Sequence, residues 1–458
     1  MQEQARVESA VEADAVPGAE GRVFAPGPEA VDMLAELYNE PDWMVEARHD
    51  ALSLYQEMPL PAQSEEAWRR TSLKKYPLDT TRLIFSPQEL DGIYDIPPCW
   101  SYALAPVQQV SGVLVHCNSA QAYATMRRDD EMNGVVFDGL HNALLSHGDL
   151  IREHWMQGAT TRPDFNKFTA LNAALWHGGT FVYVPENVRV ARPLHSLVAH
   201  DAQSGTGLHH TLMIAEKGSR VTLIQDRVSQ ERQDELNAEV VEIYAHEDAW
   251  VRYVSLQHWG KRRYSVSVQD AQLQKGANLL WVSGSMGGQM TKDFMRSDLR
   301  ARQARSTMYG FSFMRARQHL DQSTYQHHRA PQTYSDLLVR NVLRDRARSV
   351  FYGMIRVETE AGGNTQGYQA NNNLLLDDAR AHAIPGLEII ADDVRCSHGA
   401  TVSRVDPEQR FYLQARGIPR PDAERLVVQG FIRPVVERVP LAHMRQRLED
   451  EITRRFWE

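Results

Sequence analysis

Phe181-Val182-Tyr183-Val184, then Glu186-Asn187, then Val188-Arg189-Val190: a short strand, a turn built on a charged and a small polar residue, and a second short strand. The same form returns along the chain. Leu212-Met213-Ile214 leads through Lys217-Gly218 to Val221-Thr222-Leu223-Ile224, and Ala271-Gln272-Leu273 leads through Lys275-Gly276-Ala277 to Leu279-Leu280-Trp281-Val282. Later copies run from Val342-Leu343 past Ala347 to Val350-Phe351, and from Leu374-Leu375-Leu376 to Ala379-Arg380-Ala381. The interval is irregular at roughly 30 residues or more, close to the periods of repeat architectures. Strands this short cannot bury a face alone. With no long helices between them they favour a stacked solenoid over a doubly wound sheet, although the pattern alone is also compatible with a β-sandwich.

Outward from this core the pattern turns helical on both sides. Residues 1–28, rich in Ala, Glu, Gly and Pro, have little to bury and read as a flexible tail. Residues 29–80 carry Val31, Leu34, Leu37 and Tyr38 at helical spacing, then a second series Trp43, Val45, Ala47, Ala51 and Leu54, broken at Pro59-Leu60-Pro61. Residues 81–405 form the β core, with helical insertions expected near 150–155 and 165–176. Residues 406–458 are helical again: Asp406 suits an N-cap, Pro407 the first turn, Gln409 a capping box and Gly417 a stop. A second helix should place Ala423, Val427 and Phe431 on the core and be kinked or shortened at Pro434, and a third should run over 441–457. Such helices would suit the open end of a solenoid, which needs a cap.

Composition excludes several classes. Fifty Lys and Arg against 59 Asp and Glu give a formal charge of -9, and no basic run dominates a segment, which argues against nucleic-acid binding. Three cysteines, Cys99, Cys117 and Cys396, are too few and too dispersed for a disulfide framework and fit a reducing compartment. Cys99 and Cys117 read as packing. The N-terminus lacks a secretory pattern and no segment has the ~20 apolar residues of a membrane span, so a cytoplasmic protein without a membrane partner is expected. There is no GxxxxGK[ST] phosphate loop, no HExxH helix and no GxSxG elbow, so the chain does not read as an enzyme. Gly287-Gly288 and Gly362-Gly363 read as turns. His209-His210 and His327-His328 read as surface or loop features, since adjacent strand residues cannot aim at one ion.

The stretch with most chemistry is Leu387-Glu388-Ile389-Ile390-Ala391-Asp392-Asp393-Val394-Arg395-Cys396-Ser397-His398, broken by Gly399 and continued by Ala400-Thr401-Val402. In a strand Val394, Cys396, His398, Ala400 and Val402 share one face, apolar except for one imidazole. Thiolate and imidazole are good zinc or iron ligands, but two fall short of the three or four that a site needs.

This run, continued as SRVDPEQRFYLQARGI, resembles the C-terminal signature of the SufB/SufD family of iron–sulfur cluster assembly scaffolds. So do Glu40-Pro41-Asp42-Trp43-Met44 with Arg48, Leu171-Asn172-Ala173-Ala174 leading to Gly178-Gly179-Thr180, Arg329-Ala330-Pro331, Ser349-Val350-Phe351-Tyr352-Gly353 and Asn373-Leu374-Leu375-Leu376. Two departures favour the SufD branch. Ala370-Asn371-Asn372-Asn373 stands where the SufB branch has a Cys before its apolar triplet, and Ser397-His398-Gly399 stands where that branch flanks the His with Glu.

The resemblance implies a mainly β chain with flanking α, its core a right-handed parallel β-helix (solenoid) between N- and C-terminal helical regions. It implies a non-catalytic scaffold subunit of a SufBCD-type complex that assembles iron–sulfur clusters for apo-proteins. His398, beside Cys396, matches the family's cluster-related position at the interface with SufB. The implied partners are the SufB paralogue, the SufC ATPase, and a second copy of the chain when SufB is absent. The C-terminal helices would meet SufC through Arg420, Arg425, Phe431 or Arg433. The cluster would be transient and shared with the partner, and a flavin would belong to the complex only, with no residue here indicated for it. Rival readings are a carbohydrate-active β-helix enzyme using Asp392-Asp393, and an interaction scaffold without metal chemistry.

Overall fold

The backbone enters the left-handed region at a series of corners, among them Asn187, Gly218, Asp248, Gly276, Gln303, Gln332, Asn364 and Asp393, with φ from 55° to 66°. Gly, Asn and Asp tolerate this conformation best, so they suit a sharp corner. The corners stack: the N–H of Asn187 donates to Lys217 O, that of Gly218 to Glu247 O and that of Asp248 to Lys275 O, at 2.8 to 2.9 Å. The protein is seen in a computed structural model that describes residues 22–78, 82–85, 90–200, 205–230 and 234–457. Its core is a parallel β-solenoid of about eight turns between N- and C-terminal helices.

Each turn gives one strand to a nine-stranded sheet and one to a ten-stranded sheet. Trp250, Asn278, Arg305, Tyr334, Gln366 and Arg395 lie in one column, so the rungs recur every 27 to 32 residues. The strands run from Gly178–Val184 to Val394–Arg404 and are 7 to 11 residues long, longer than the apolar runs that mark them in sequence. The reason is the lumen. Ser255, Gln257, Ser267, Gln269, Ser283 and Asn341 are all buried inward-facing polar residues, so only the strand ends look hydrophobic.

The two ends of the stack differ. At the first, Val136–Gly139 pairs antiparallel with Gly178–Val184, and Ala120–Met126 pairs antiparallel with Gly112–Cys117. At the last, Arg380–Ile389 and Val394–Arg404 each have a neighbour on one side only. Gly399 lies inside the final strand and does not break it.

The C-terminal helices do not cap that end. Pro407–Ala415, Arg420–Val436 and Ala442–Trp457 turn back along the chain. Val428, Ile432, Val435, Met444, Leu448 and Ile452 pack on Ile224, Val254, Val282, Phe311 and Phe313, the outer side of the ten-stranded sheet. Asp406 caps the first of these helices by accepting from Glu408 N at 2.9 Å, and Gly417 ends it with φ +85°. Only the Asp406 half of the expected capping box forms. Pro434 stands two residues before the end of the second helix, where few backbone bonds remain to be lost, and the helix continues to Val436.

The N-terminal helices Pro28–Tyr38 and Asp42–Glu57 cover the early turns of the nine-stranded sheet together with Lys167–Leu175. Most of the tail expected over 1–28 lies outside the described residues; Arg22–Phe24 pairs with Leu83–Phe85. The second helix buries Met44, Arg48, Ala51 and Leu52, a face rotated from the apolar series read from sequence, of which Ala51 is buried and Trp43 and Ala47 pack at the margin. Arg48 sets that rotation. It forms two bonds to Glu40, at 2.6 and 2.7 Å, and donates to the carbonyls of Ala174 and Trp176 at 3.1 and 3.0 Å. Its guanidinium lies 4.4 Å from the Trp176 ring, and His141 stacks on the other partners, 4.2 Å from Trp176 and 3.6 Å from Tyr38.

Although burial works the other way, the nearby Arg48 holds the Glu40 carboxyl down to about 2. A depressed carboxyl pKa adds stability above its ordinary range that is lost as pH falls through 2. Burial also lowers His141, His177 and His258 to about 4, and His116 and His328 to about 3. The fold thus prefers their neutral form, while the unfolded chain takes up protons below about 6.5. Both effects have one sign, and the buried carboxyls of Asp270 and Asp293, raised by burial to about 6 and about 7, oppose them but are fewer than the five histidines: the urea midpoint should fall from pH 6.5 to 4 and further towards 2, and a midpoint constant between pH 7 and 4 would refute this. Arg48→Met, which leaves Glu40 buried without its cation, should cost about 3–5 kcal/mol in the same titration.

Candidate functional site

The open end is built by two strands. Alternation aims Ala383, Pro385, Leu387 and Ile389 of one and Cys396, His398, Ala400 and Val402 of the other over the mouth of the lumen. Leu387, Ile389, Ile390 and Val402 are 38 to 49% exposed, unlike any comparable row in the earlier turns. The surface is apolar with one thiol and one imidazole, as the spacing of the final strand predicts.

Beneath this layer, register places Cys396 over Gly367 and His398 over Gln369. A Cβ on Gly367 would lie 3.4 Å from Cys396 Sγ, 3.2 Å from His328 Nε2 and 2.9 Å from Ile355, so the missing side chain leaves the thiol its space above a buried imidazole. Gln369 ties the two sheets together here, its Nε2 donating to Gly353 O at 3.3 Å and Gly386 O at 3.1 Å. The Asn ladder continues the tie: Asn341 Nδ2 donates to Asn373 Oδ1 at 3.1 Å, and Asn373 Nδ2 donates to Thr401 O at 3.2 Å. The last rung is therefore held rigidly although its far side is bare.

Half-burial pushes the Cys396 thiol up from its ordinary value. At neutral pH it is a protonated thiol, whereas iron and zinc take a thiolate, so metal binding there would release a proton. His398 is exposed. Among the described residues no group of three His, Cys, Asp or Glu side chains could hold a metal ion. Two potential ligands fall short of the three or four that a metal site needs.

The other expected residues are not gathered at this end. Arg420 is exposed and bonds Glu424 at 3.1 Å; Arg433 is exposed and bonds Glu437 at 2.8 Å; Arg425 is half-buried beside Asp422 and Gln429. Phe431 faces the solenoid, with the Arg340 guanidinium 5.3 Å from its ring and bonded to its carbonyl. Sequence reading missed Phe411 and Tyr412, 73% and 58% exposed, on a helix with no buried residue. The signal was present: two adjacent aromatics in a helix that otherwise reads as charged and polar. Asp392 and Asp393 lie in the turn before the last strand, both exposed, and not on a strand.

The paired histidines are a correction. All four are buried within strands, not on loops. Alternation sends His209 towards Thr180 Oγ1 at 3.1 Å and His210 to Glu242 at 3.2 Å under the N-terminal cover; likewise His328 meets Ser335 and His327 meets Glu358 on opposite faces. Cys117 is buried as expected, and the Cys99 side chain lies outside the described set. No helix among the described residues is long and apolar enough to cross a membrane.

Comparison with known proteins agrees with this architecture. Residues 198–431 match the family described as "SUF system FeS cluster assembly, SufBD core domain", and residues 32–195 match "SufBD protein N-terminal region". The chain is 28% identical over 423 residues to an "Iron-sulfur cluster assembly SufBD family protein" of Staphylococcus epidermidis, covering 90% of this chain and 89% of that one. Proteins of the same description from Staphylococcus haemolyticus and Staphylococcus aureus are 27% identical over 420 residues, with the same coverage.

In a Cys99→Ser background, alkylation of Cys396 by iodoacetamide should be slow at pH 7 and still rising with pH at 9, with Cys117 unreactive. A rate that levels off near pH 7 would show a stabilised thiolate and contradict this picture.

Proposed function

We propose, from the premise that this chain belongs to the SufB/SufD family of iron–sulfur cluster assembly proteins, that it is a non-catalytic scaffold whose open end pairs with a sister subunit to complete a transient cluster site. One observation carries this reading: the last rung is unpaired, and the face it turns over the lumen is apolar except for Cys396 and His398. An exposed edge strand is a template for another chain. Arg380–Ile389 carries Pro385, which lacks an N–H. Val394–Arg404 has 11 residues and neither Pro nor Lys to discourage pairing. A partner strand added there would cover the apolar row and bring its own ligands to Cys396 and His398. The SufB paralogue is the proposed partner and a second copy the substitute when it is absent; the departures at Asn371–Asn373 and around His398 favour the SufD branch.

The ATPase, SufC, is proposed to dock on the C-terminal helices, where Phe411, Tyr412, Arg420 and Arg433 are exposed. This chain offers no phosphate loop of its own, so hydrolysis falls to that partner. For the flavin, the fit is poor. Gly287-Gly288 joins one strand to the next and Gly362-Gly363 follows a single 3₁₀ turn, so neither opens a helix that could cradle a diphosphate, and no step is assigned to it.

Purified alone, the chain should be colourless after anaerobic incubation with iron and sulfide; a stoichiometric visible chromophore would overturn the shared site. With SufB and SufC present, His398→Ala should lower cluster yield severalfold while the unfolding midpoint moves by no more than about 0.5 kcal/mol, as for an exposed residue. Unchanged yield removes His398 from the site. A Phe411→Ser, Tyr412→Ser double variant should lose SufC on size-exclusion chromatography but keep the sister subunit; retention of SufC would move the docking surface elsewhere.

A further inference from the structure

The outer face of the nine-stranded sheet changes character partway along the solenoid. A strap over residues 155–166 crosses its early turns and is tied down by two buried carboxylates. Glu242 accepts from Met156 N at 2.7 Å and Thr161 Oγ1 at 2.7 Å, and Asp270 accepts from Thr160 N at 3.2 Å and Thr160 Oγ1 at 2.8 Å. Where the strap ends, a cavity of about 560 Å³ opens between Thr160 and Phe165 on one side and Tyr325 and Tyr352 on the other, with Phe294 and Arg296 among its lining. Its far wall, with Tyr352 and Arg356, belongs to the strand that pairs with Arg380–Ile389, and Arg356 reaches Glu388 there at 3.2 Å, but the cavity opens on the outer face of the sheet and not over the lumen.

The walls are aromatic and the polar groups converge. Phe165 meets Phe294 edge-on at 5.6 Å, and the Arg296 guanidinium lies 5.6 Å from the Tyr325 ring. Arg296 Nη2 donates to His327 Nδ1 at 2.9 Å, which leaves the ring proton on Nε2 to donate to Glu358 at 2.6 Å; Arg356 Nε donates to the same Glu358 oxygen at 2.8 Å. This chain of bonds fixes the wall. Arg296 is only 6% exposed, yet its Nε–H has no acceptor. Arg329 and Arg356 also line the cavity with one carboxylate, Glu358, while Asp298 and Asp270 sit behind the guanidinia and Glu388 pairs with Arg356 at 3.2 Å from the next strand. The donor left unfilled in the lining is therefore Arg296 Nε.

We propose that this cavity binds a flat aromatic molecule bearing one anionic group, its rings between Phe165, Phe294, Tyr325 and Tyr352 and its acid against Arg296 and Arg356. The volume falls within the range of small-molecule sites, about 300–1,000 Å³. A cavity of roughly 150 Å³ holds one benzene ring, so two or three fused or linked rings fit. Neither a glycine-rich turn nor a helix N-terminus lines it, which favours a single acid group over a diphosphate.

The test uses two probes of matched ring structure on the full chain, 8-anilinonaphthalene-1-sulfonate and the uncharged N-phenyl-1-naphthylamine, followed by fluorescence. The sulfonate should bind at one site and at least fivefold more tightly than the neutral probe. Tyr352→Ala and Phe165→Ala should weaken both probes tenfold or more. Arg356→Gln should weaken the sulfonate at least fivefold and the neutral probe less than twofold. The open end is also apolar, so Ile389→Ser is the control and should change neither probe more than twofold. Equal affinity of the two probes, or loss in Ile389→Ser with none in Tyr352→Ala, would overturn the proposal; circular dichroism confirms that each variant is folded.

Discussion

A stack of parallel strands has two terminal layers, and each exposes a row of unpaired N–H and C=O groups above a last layer of side chains. In this molecule the two are treated oppositely. Antiparallel strands close the first end, in both sheets, while the helices that could have closed the second lie along the flank. The bare end is thus not a by-product of chain length: three helices follow it, and all of them pass it by. Burial along the last two strands falls away accordingly, from near-complete in Arg263–Leu273 to mostly exposed in Val394–Arg404.

Much of this was legible in the residues. Asn187, Gly218 and Gly276 mark corners because few other residues accept positive φ, and Val394, Cys396, His398, Ala400 and Val402 share a face because strand periodicity is two. What stayed hidden was whatever a polar lumen conceals. The strand Tyr334–Leu343 carries two apolar runs, Leu337-Leu338-Val339 and Val342-Leu343, split by Arg340 and Asn341, and only the second was read as strand, since Ser335 and Asn341 point inward as well. The histidine pairs failed for a related reason: a strand with both faces covered buries both neighbours, and alternation then separates them without exposing either. Glu40 and Arg48 were visible as a motif, but nothing local says that a charged pair is the centre of a packed face. That depends on Ala174 and Trp176, more than a hundred residues away.

On the proposed reading, the chemistry of the open end follows from its being half of a site shared with a partner. A protonated thiol and an exposed imidazole bind metal weakly alone, and with two ligands the site is incomplete. For a scaffold this is useful, because a cluster held by groups from two chains can be released when they separate, whereas a closed four-ligand site would trap it. The rigidity supplied by Gln369 and the Asn ladder matters in the same way. A partner strand meets a layer that is already ordered, so less conformational entropy is lost on pairing.

The two outer faces are covered to different depths, and this asymmetry locates the remaining chemistry. On the ten-stranded side the C-terminal helices reach Leu374 in the seventh turn. On the nine-stranded side the N-terminal cover crosses Phe294 and reaches only the start of the next strand, where Thr71 meets His319 and donates to Asp321, leaving Tyr325, Tyr352 and Arg356 beyond it. A cover that stops abruptly on a flat sheet makes a step, and a step lined by rings and guanidinia makes a cavity. Had the strap extended one rung further, Tyr325 and Tyr352 would have been core residues and Arg296 would have found its last acceptor there. The position of that step, set by the carboxylate ties at Glu242 and Asp270, is therefore what separates structural burial from a surface able to hold a ligand.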